Sequence, residues 1–92
     1  MKRYKLEAFS TTEIRPLSVK VLDLQAAETV STATVVHTPP SGSAVSITPT
    51  IATPYVNLLA GPFTAVGRHY LLIKPVGSAG SKPTVQFVFD VE

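Results

Sequence analysis

The chain has 92 residues, with eight basic and six acidic side chains, two histidines and no cysteine. That is one domain over residues 1–92, of a size that closes a single core. It excludes a disulfide framework and any cysteine-ligated metal site, and a formal charge of +2 is too weak for the basic stripe of a nucleic-acid-binding surface.

No run approaches the roughly 18 continuous apolar residues of a membrane-spanning helix. Tyr4-Lys5-Leu6-Glu7 stands where a secretory signal would carry its apolar stretch. The expectation is a complete, soluble polypeptide made in the cytoplasm.

Lys2 to Phe9 alternates, with Tyr4, Leu6 and Ala8 on one face and Arg3, Lys5 and Glu7 on the other. It reads as an edge strand whose outward charges discourage pairing with stray chains. Ser10-Thr11-Thr12-Glu13 has the spacing of a helix cap, but Pro16 and the β-branched residues after it argue against a helix. Alternation resumes at Leu17-Ser18-Val19-Lys20-Val21. Leu24 to Glu28 has helix propensity over too few residues to stand alone, so a single turn or a wide loop is expected. Thr29 to Thr38 returns to β-branched residues with imperfect alternation, which places a bulge near Ser31-Thr32.

Pro39-Pro40-Ser41-Gly42-Ser43 is a turn by composition. Val45 and Ile47 share one face of a short strand that Pro49 ends, and Pro54 and Gly61-Pro62 bound a further strand, Tyr55 to Ala60. Arg68 to Lys74 is apolar enough to be covered on both faces. Gly77-Ser78-Ala79-Gly80-Ser81 reads as a flexible hairpin loop. Its phosphate-loop flavour fails because Pro83 opens a strand where a helix would have to begin. The last strand, Thr84 to Glu92, lines up Val85, Phe87, Phe89 and Val91 on one face.

About seven short strands with turns between them predict an antiparallel β-sandwich or a small barrel. One detail favours the immunoglobulin-like sandwich: Tyr70 stands two residues before the apolar Leu72, as a corner tyrosine stands before a strand cysteine. The predicted core is Val19, Val21, Val35, Ile47, Val56, Leu58, Tyr70, Leu72, Val85, Phe87 and Phe89.

Chemistry is not legible. His37 and His69 sit in separate predicted strands, 32 positions apart, with no carboxylate at a ligand spacing, and read as satisfied or exposed strand histidines. Serines, the histidines and Asp23 or Asp90 make a hydrolytic triad only on paper, since no Gly-x-Ser-x-Gly elbow is present. No catalytic, cofactor-binding or metal-ligating residue is predicted, and no enzyme activity.

Glu28-Thr29-Val30-Ser31-Thr32-Ala33-Thr34-Val35 carries a resemblance. After it come the Pro/Gly/Ser turn, short strands at Ala44 to Thr48 and Tyr55 to Ala60, Gly67-Arg68-His69-Tyr70, and two closing strands. Over Leu22 to Glu92 this order resembles the small immunoglobulin-like phage proteins known as fibre–tail adaptors. They share a Glu-Thr-(Ile/Val)-Ser-x-Ala-Thr-Val run and a Gly-x-x-Tyr lead into the last two strands.

The resemblance implies an all-β, immunoglobulin-like antiparallel sandwich in a phage or prophage virion. The implied role is a non-enzymatic accessory or adaptor module on the capsid, neck or tail. Its implied partners are other virion proteins in a symmetric, multi-copy or homo-oligomeric assembly, without nucleic acid, membrane or cofactor. The candidate interface is the N-terminal edge, with Lys2, Arg3, Tyr4, Lys5, Glu7 and Phe9, because an edge strand presents unpaired N–H and C=O groups. The alternative is a ligand- or carbohydrate-binding sandwich of a bacterial surface protein. That reading needs exposed aromatics, and most aromatics here fall on predicted core faces.

Overall fold

The last strand organises the chain. Phe89 and Val91 are buried, as are Val85 at its start and Leu71 and Ile73 on the strand beside it. The computed structural model describes residues 2–21 and 28–92, so all of the expected turn over Leu24 to Glu28 except its last residue lies outside the described residues. Eight strands are formed: β1 (Lys2–Lys5), β2 (Arg15–Lys20), β3 (Val30–Thr38), β4 (Val45–Ile47), β5 (Thr50–Ala52), β6 (Tyr55–Ala60), β7 (Gly67–Gly77) and β8 (Val85–Val91). No helix occurs among the described residues.

The strands make two sheets, a five-stranded one in the order β1-β8-β7-β3-β4 and a three-stranded one in the order β2-β6-β5. Both contribute to one core: Val19, Val56, Leu58 and Ala60 come from the smaller sheet, and Val35, Leu71, Ile73, Val85, Phe89 and Val91 from the larger. The chain is all-β and sandwich-like, as expected, although it is not antiparallel throughout, since β1 runs parallel to β8. Each fully buried Leu, Ile, Val or Phe contributes about 1.5–3 kcal/mol of apolar transfer.

Several expectations hold in detail. The β3–β7 ladder shifts register between Val30 and Thr32, where the bulge was expected. β4 ends before Pro49 and β6 begins after Pro54. At Ser10–Glu13 the helix-cap spacing closes a turn instead, with Ser10 N–H donating to the Glu13 carboxylate (3.1 Å) and Glu13 N–H to Ser10 O (3.2 Å).

Three expectations are corrected. The segment between Pro49 and Pro54 holds a strand, β5, paired with β6 in a tight hairpin, which makes eight strands rather than seven. The four residues between Pro49 and Pro54 are too few for a pattern to show.

The phase of β7 is the opposite of that predicted. Tyr70 lies 36% exposed and Leu72 is half-buried, while His69, Leu71 and Ile73 point inward. A strand apolar on both faces carries no phase of its own, so pairing sets it: His69, Leu71 and Ile73 lie opposite Phe89, Phe87 and Val85. Directly opposed residues share a face. No hydrogen bond among the described residues uses the Tyr70 hydroxyl, so Tyr70 is not a corner tyrosine.

Ile47 and Phe87 are half-buried rather than buried. Strands lie roughly 4.8 Å apart, so three strands cannot cover the inner face of five. The inner faces of the outermost strands, β1 and β4, and of their neighbours are left partly open.

Candidate functional site

The N-terminal segment splits into an open edge and an anchor. β1 lies parallel to β8, with Tyr4 opposite Phe87 and their rings 5.7 Å apart. Among the described residues its other side has no neighbour in the sheet. Arg3, Tyr4, Lys5 and Glu7 are exposed, and Lys2 opens the strand.

Phe9, expected in the same interface, is 1% exposed and part of the core. The strand stops at Lys5, so the alternation loses its phase before Phe9. The ring then turns inward, 4.7 Å from Phe89 and edge-on to Phe63 at 5.4 Å. Main-chain bonds hold the segment against β8: Leu6 N–H donates to Val88 O, Phe9 N–H to Asp90 O and Glu92 N–H to Phe9 O, each at 2.9 Å.

Arg15 fastens the anchor. Its guanidinium lies 3.9 Å over the Phe9 ring and donates to Glu7 O (3.2 Å), Ala8 O (3.1 Å) and the Glu13 carboxylate (2.7 Å). Those bonds, with the Ser10 N–H, hold the Glu13 carboxyl below its usual range. By sequence Arg15 reads as one more solvated charge, and nothing in its spacing signals the clamp.

The second feature was missed as a pair. His37 on β3 and His69 on β7 place Nε2 and Nδ1 2.7 Å apart. The rings are 8° from parallel with centroids 5.0 Å apart. A nitrogen contact that short leaves one ring radius on either side, so the rings meet edge to edge in one plane and make a straight N–H···N bond.

The tautomers follow from the third group. His69 Nε2 is 2.6 Å from Ala65 O, which can only accept. His69 therefore carries its proton on Nε2, and its Nδ1 accepts from His37 Nε2–H. The pair accommodates one added proton, at His37 Nδ1, without breaking either bond.

His69 is 1% exposed, and Phe63 and Phe89 lie beside it with ring centroids 5.5 and 5.4 Å away. Burial, then the neighbouring His69, lowers the basicity of His37 below its ordinary value of 6.5. Both imidazoles line an open cleft of about 450 Å³, with Val45, Ile47, Leu59, Pro62 and Thr64 among its walls. Among the described residues no third His, Asp or Glu completes a metal-binding group.

The glycine-rich loop is not loose. Gly77 N–H donates to Ser81 O (2.7 Å) and Ser78 N–H to Thr29 O (2.7 Å). Its inward amides do bind an anion, the chain's own. Ala79 N–H, Ser81 N–H and Ser81 Oγ donate to the Glu28 carboxylate at 2.8, 3.2 and 2.6 Å. Glu28 is 8% exposed.

All three tyrosines are exposed, Tyr70 contrary to its predicted place in the core, but they share no surface. Tyr55 is on the smaller sheet, Tyr4 is at the β1 edge beside Phe87, and Tyr70 is on the outer face of the larger sheet.

Comparison of the chain with protein-family models, with curated proteins and with solved structures finds no match.

Proposed function

We propose that this chain is an immunoglobulin-like, non-enzymatic module of a phage or prophage virion, an accessory or adaptor docked in several copies on the capsid, neck or tail. Other virion proteins are its partners, and the host cytoplasm is where it is made. The topology supports the immunoglobulin-like part. The order β2-β6-β5 corresponds to B-E-D of such domains, and β8-β7-β3-β4 to G-F-C-C′. On this reading His69, two residues before Leu71 and bonded to a carbonyl four residues upstream, holds the place of the corner tyrosine.

The observation that carries the docking role is the outer edge of β1. It is a strand edge without a neighbour among the described residues, it displays Arg3 and Lys5, and its segment is fixed to the core by Phe9 and Arg15. A rigid edge presents main-chain N–H and C=O groups to a partner strand at little ordering cost. The cations orient an acidic partner and speed its approach more than they tighten it.

Quantitative mass spectrometry of particles purified from a producing culture tests this reading. The expected result is the chain present in a fixed ratio to a major structural protein through successive purification steps. Its absence from intact particles overturns the proposal. The dispersed tyrosines offer no shared stacking platform, so the carbohydrate-binding alternative gains no support from the geometry.

A further inference from the structure

The strands that end the two sheets differ sharply in charge. β1 and β2 carry Lys2, Arg3, Lys5, Arg15 and Lys20, whereas β4 is Val45-Ser46-Ile47 and β5 is Thr50-Ile51-Ala52, with no ionisable side chain. Edges are ordinarily guarded by charge against pairing with other chains. The β4 edge carries no such charge, and its inner face is incompletely covered.

Val45 lies opposite His37 in the β3–β4 ladder, so it belongs to the inner face of the larger sheet, yet it is 57% exposed. The cause is the shortness of β5, which stops at Thr50, opposite Asn57, because Pro49 precedes it. Beyond that point, among the described residues, Leu58 to Ala60 have a sheet neighbour on one side only, and Leu59, between the buried Leu58 and Ala60, lies exposed on the outer face of the smaller sheet. Two open clefts of about 450 and 460 Å³ result, both bordered by Ile47 and Leu59, with no Lys, Arg, Asp or Glu in either wall.

We propose that this face meets a second copy of the chain. The β4 edges pair antiparallel about a two-fold axis at Ser46 and join the two larger sheets into one. Antiparallel pairing about Ser46 sets Val45 of each copy against Ile47 of the other, on the uncovered inner face. The free main-chain N–H and C=O groups on the outer edges of both strands then bond each other. A two-fold contact of one surface with itself requires that surface not to repel its own image. The uncharged β4 edge meets that condition. The same operation at β1 would bring the exposed Arg3 and Lys5 of one copy against those of the other, and the chain therefore self-pairs at β4 and leaves β1 free.

Sedimentation equilibrium of the full chain, up to about 1 mM, tests the proposal. The expected species has twice the 9.8 kDa chain mass. Ser46 is exposed, so S46K and S46E should fold with unchanged circular dichroism. Each alone puts like charges opposite one another at the axis and should associate at least about tenfold more weakly. An equal mixture of the two should recover association as a heterodimer, and R3E should associate like the wild type. A wild-type chain that stays monomeric over the whole range overturns the proposal. So does an S46K–S46E mixture that fails to recover, or loss of association in R3E.

Discussion

His69 Nε2 lies 2.6 Å from the carbonyl oxygen of Ala65, and this bond ties β7 to the turn that brings the chain from the smaller sheet to the larger. The other face of the imidazole edge accepts from His37, so one buried side chain joins β3, β7 and the connecting segment. Replacing His69 with Phe keeps the ring volume and removes both bonds. The expected loss is about 1–3 kcal/mol in chemical denaturation, from polar groups left without partners. Tyr70→Phe should stay within about 0.5 kcal/mol of the wild type, because that hydroxyl makes no bond. The reverse ranking would restore Tyr70 as the corner residue.

His37 gives the fold a pH dependence of definite sign. Its basicity is lowered in the folded chain, so between that lowered value and 6.5 the unfolded chain binds more protons. Stability therefore rises with pH through this window and is lost as pH falls below 6.5. Thermal melts between pH 5 and 7.5 should show this slope. In His37→Gln the slope should be shallower.

Phe87 and Phe89 alternate on one strand, but their truncations should differ. Phe89 is completely buried between Phe9, Phe63 and His69, and Phe89→Ala should cost about 3–5 kcal/mol. Phe87 is half-buried under Tyr4, near the uncovered margin of the larger sheet, and Phe87→Ala should cost clearly less. Equal losses in urea titrations would mean that the smaller sheet covers more of the inner face than described here.

Much of this was legible in the residues. The alternation in β8, the bulge in β3 and the proline stops of β4 and β6 are local signals, and the structure reproduces them. The phase of β7 was not legible, because Tyr-Leu-Leu-Ile offers an apolar row on either face and only the pairing of His69 with Phe89 decides between them. The histidine pair was hidden for the same reason: residues 32 positions apart meet through strand register, which no spacing encodes. Phe9 was misplaced because its strand ends four residues before it.

Glu28 should matter more than its place beside a loop suggests. Glu28→Ala leaves the Ala79 and Ser81 amides without their acceptor, at an expected cost of about 1.5–3 kcal/mol for charge-assisted bonds. Amide hydrogen exchange at those two residues should accelerate while Leu71 and Ile73 stay protected. Unchanged exchange at Ala79 and Ser81 would show that the carboxylate does not organise the loop.

Gly61 has a φ of +112°, and a Cβ there would run into the Glu13 carbonyl oxygen. Gly61→Ala should therefore destabilise the fold by about 1–3 kcal/mol or more, read as a lowered melting temperature. A neutral result would mean that the turn carrying Glu13 and Arg15 moves aside freely.

In the proposed function the β1 edge is the surface that meets the rest of a particle. Deleting residues 2–9 would remove Phe9 from the core, so charge reversal is the cleaner perturbation. The measurement is the amount of Arg3→Glu/Lys5→Glu chain carried by purified particles relative to wild type, with circular dichroism confirming the fold. Both side chains are exposed, so the fold should be unaffected. The account predicts at least about tenfold lower loading of the variant, with wild-type loading falling as salt rises. A folded variant that loads as fully as the wild type would contradict it.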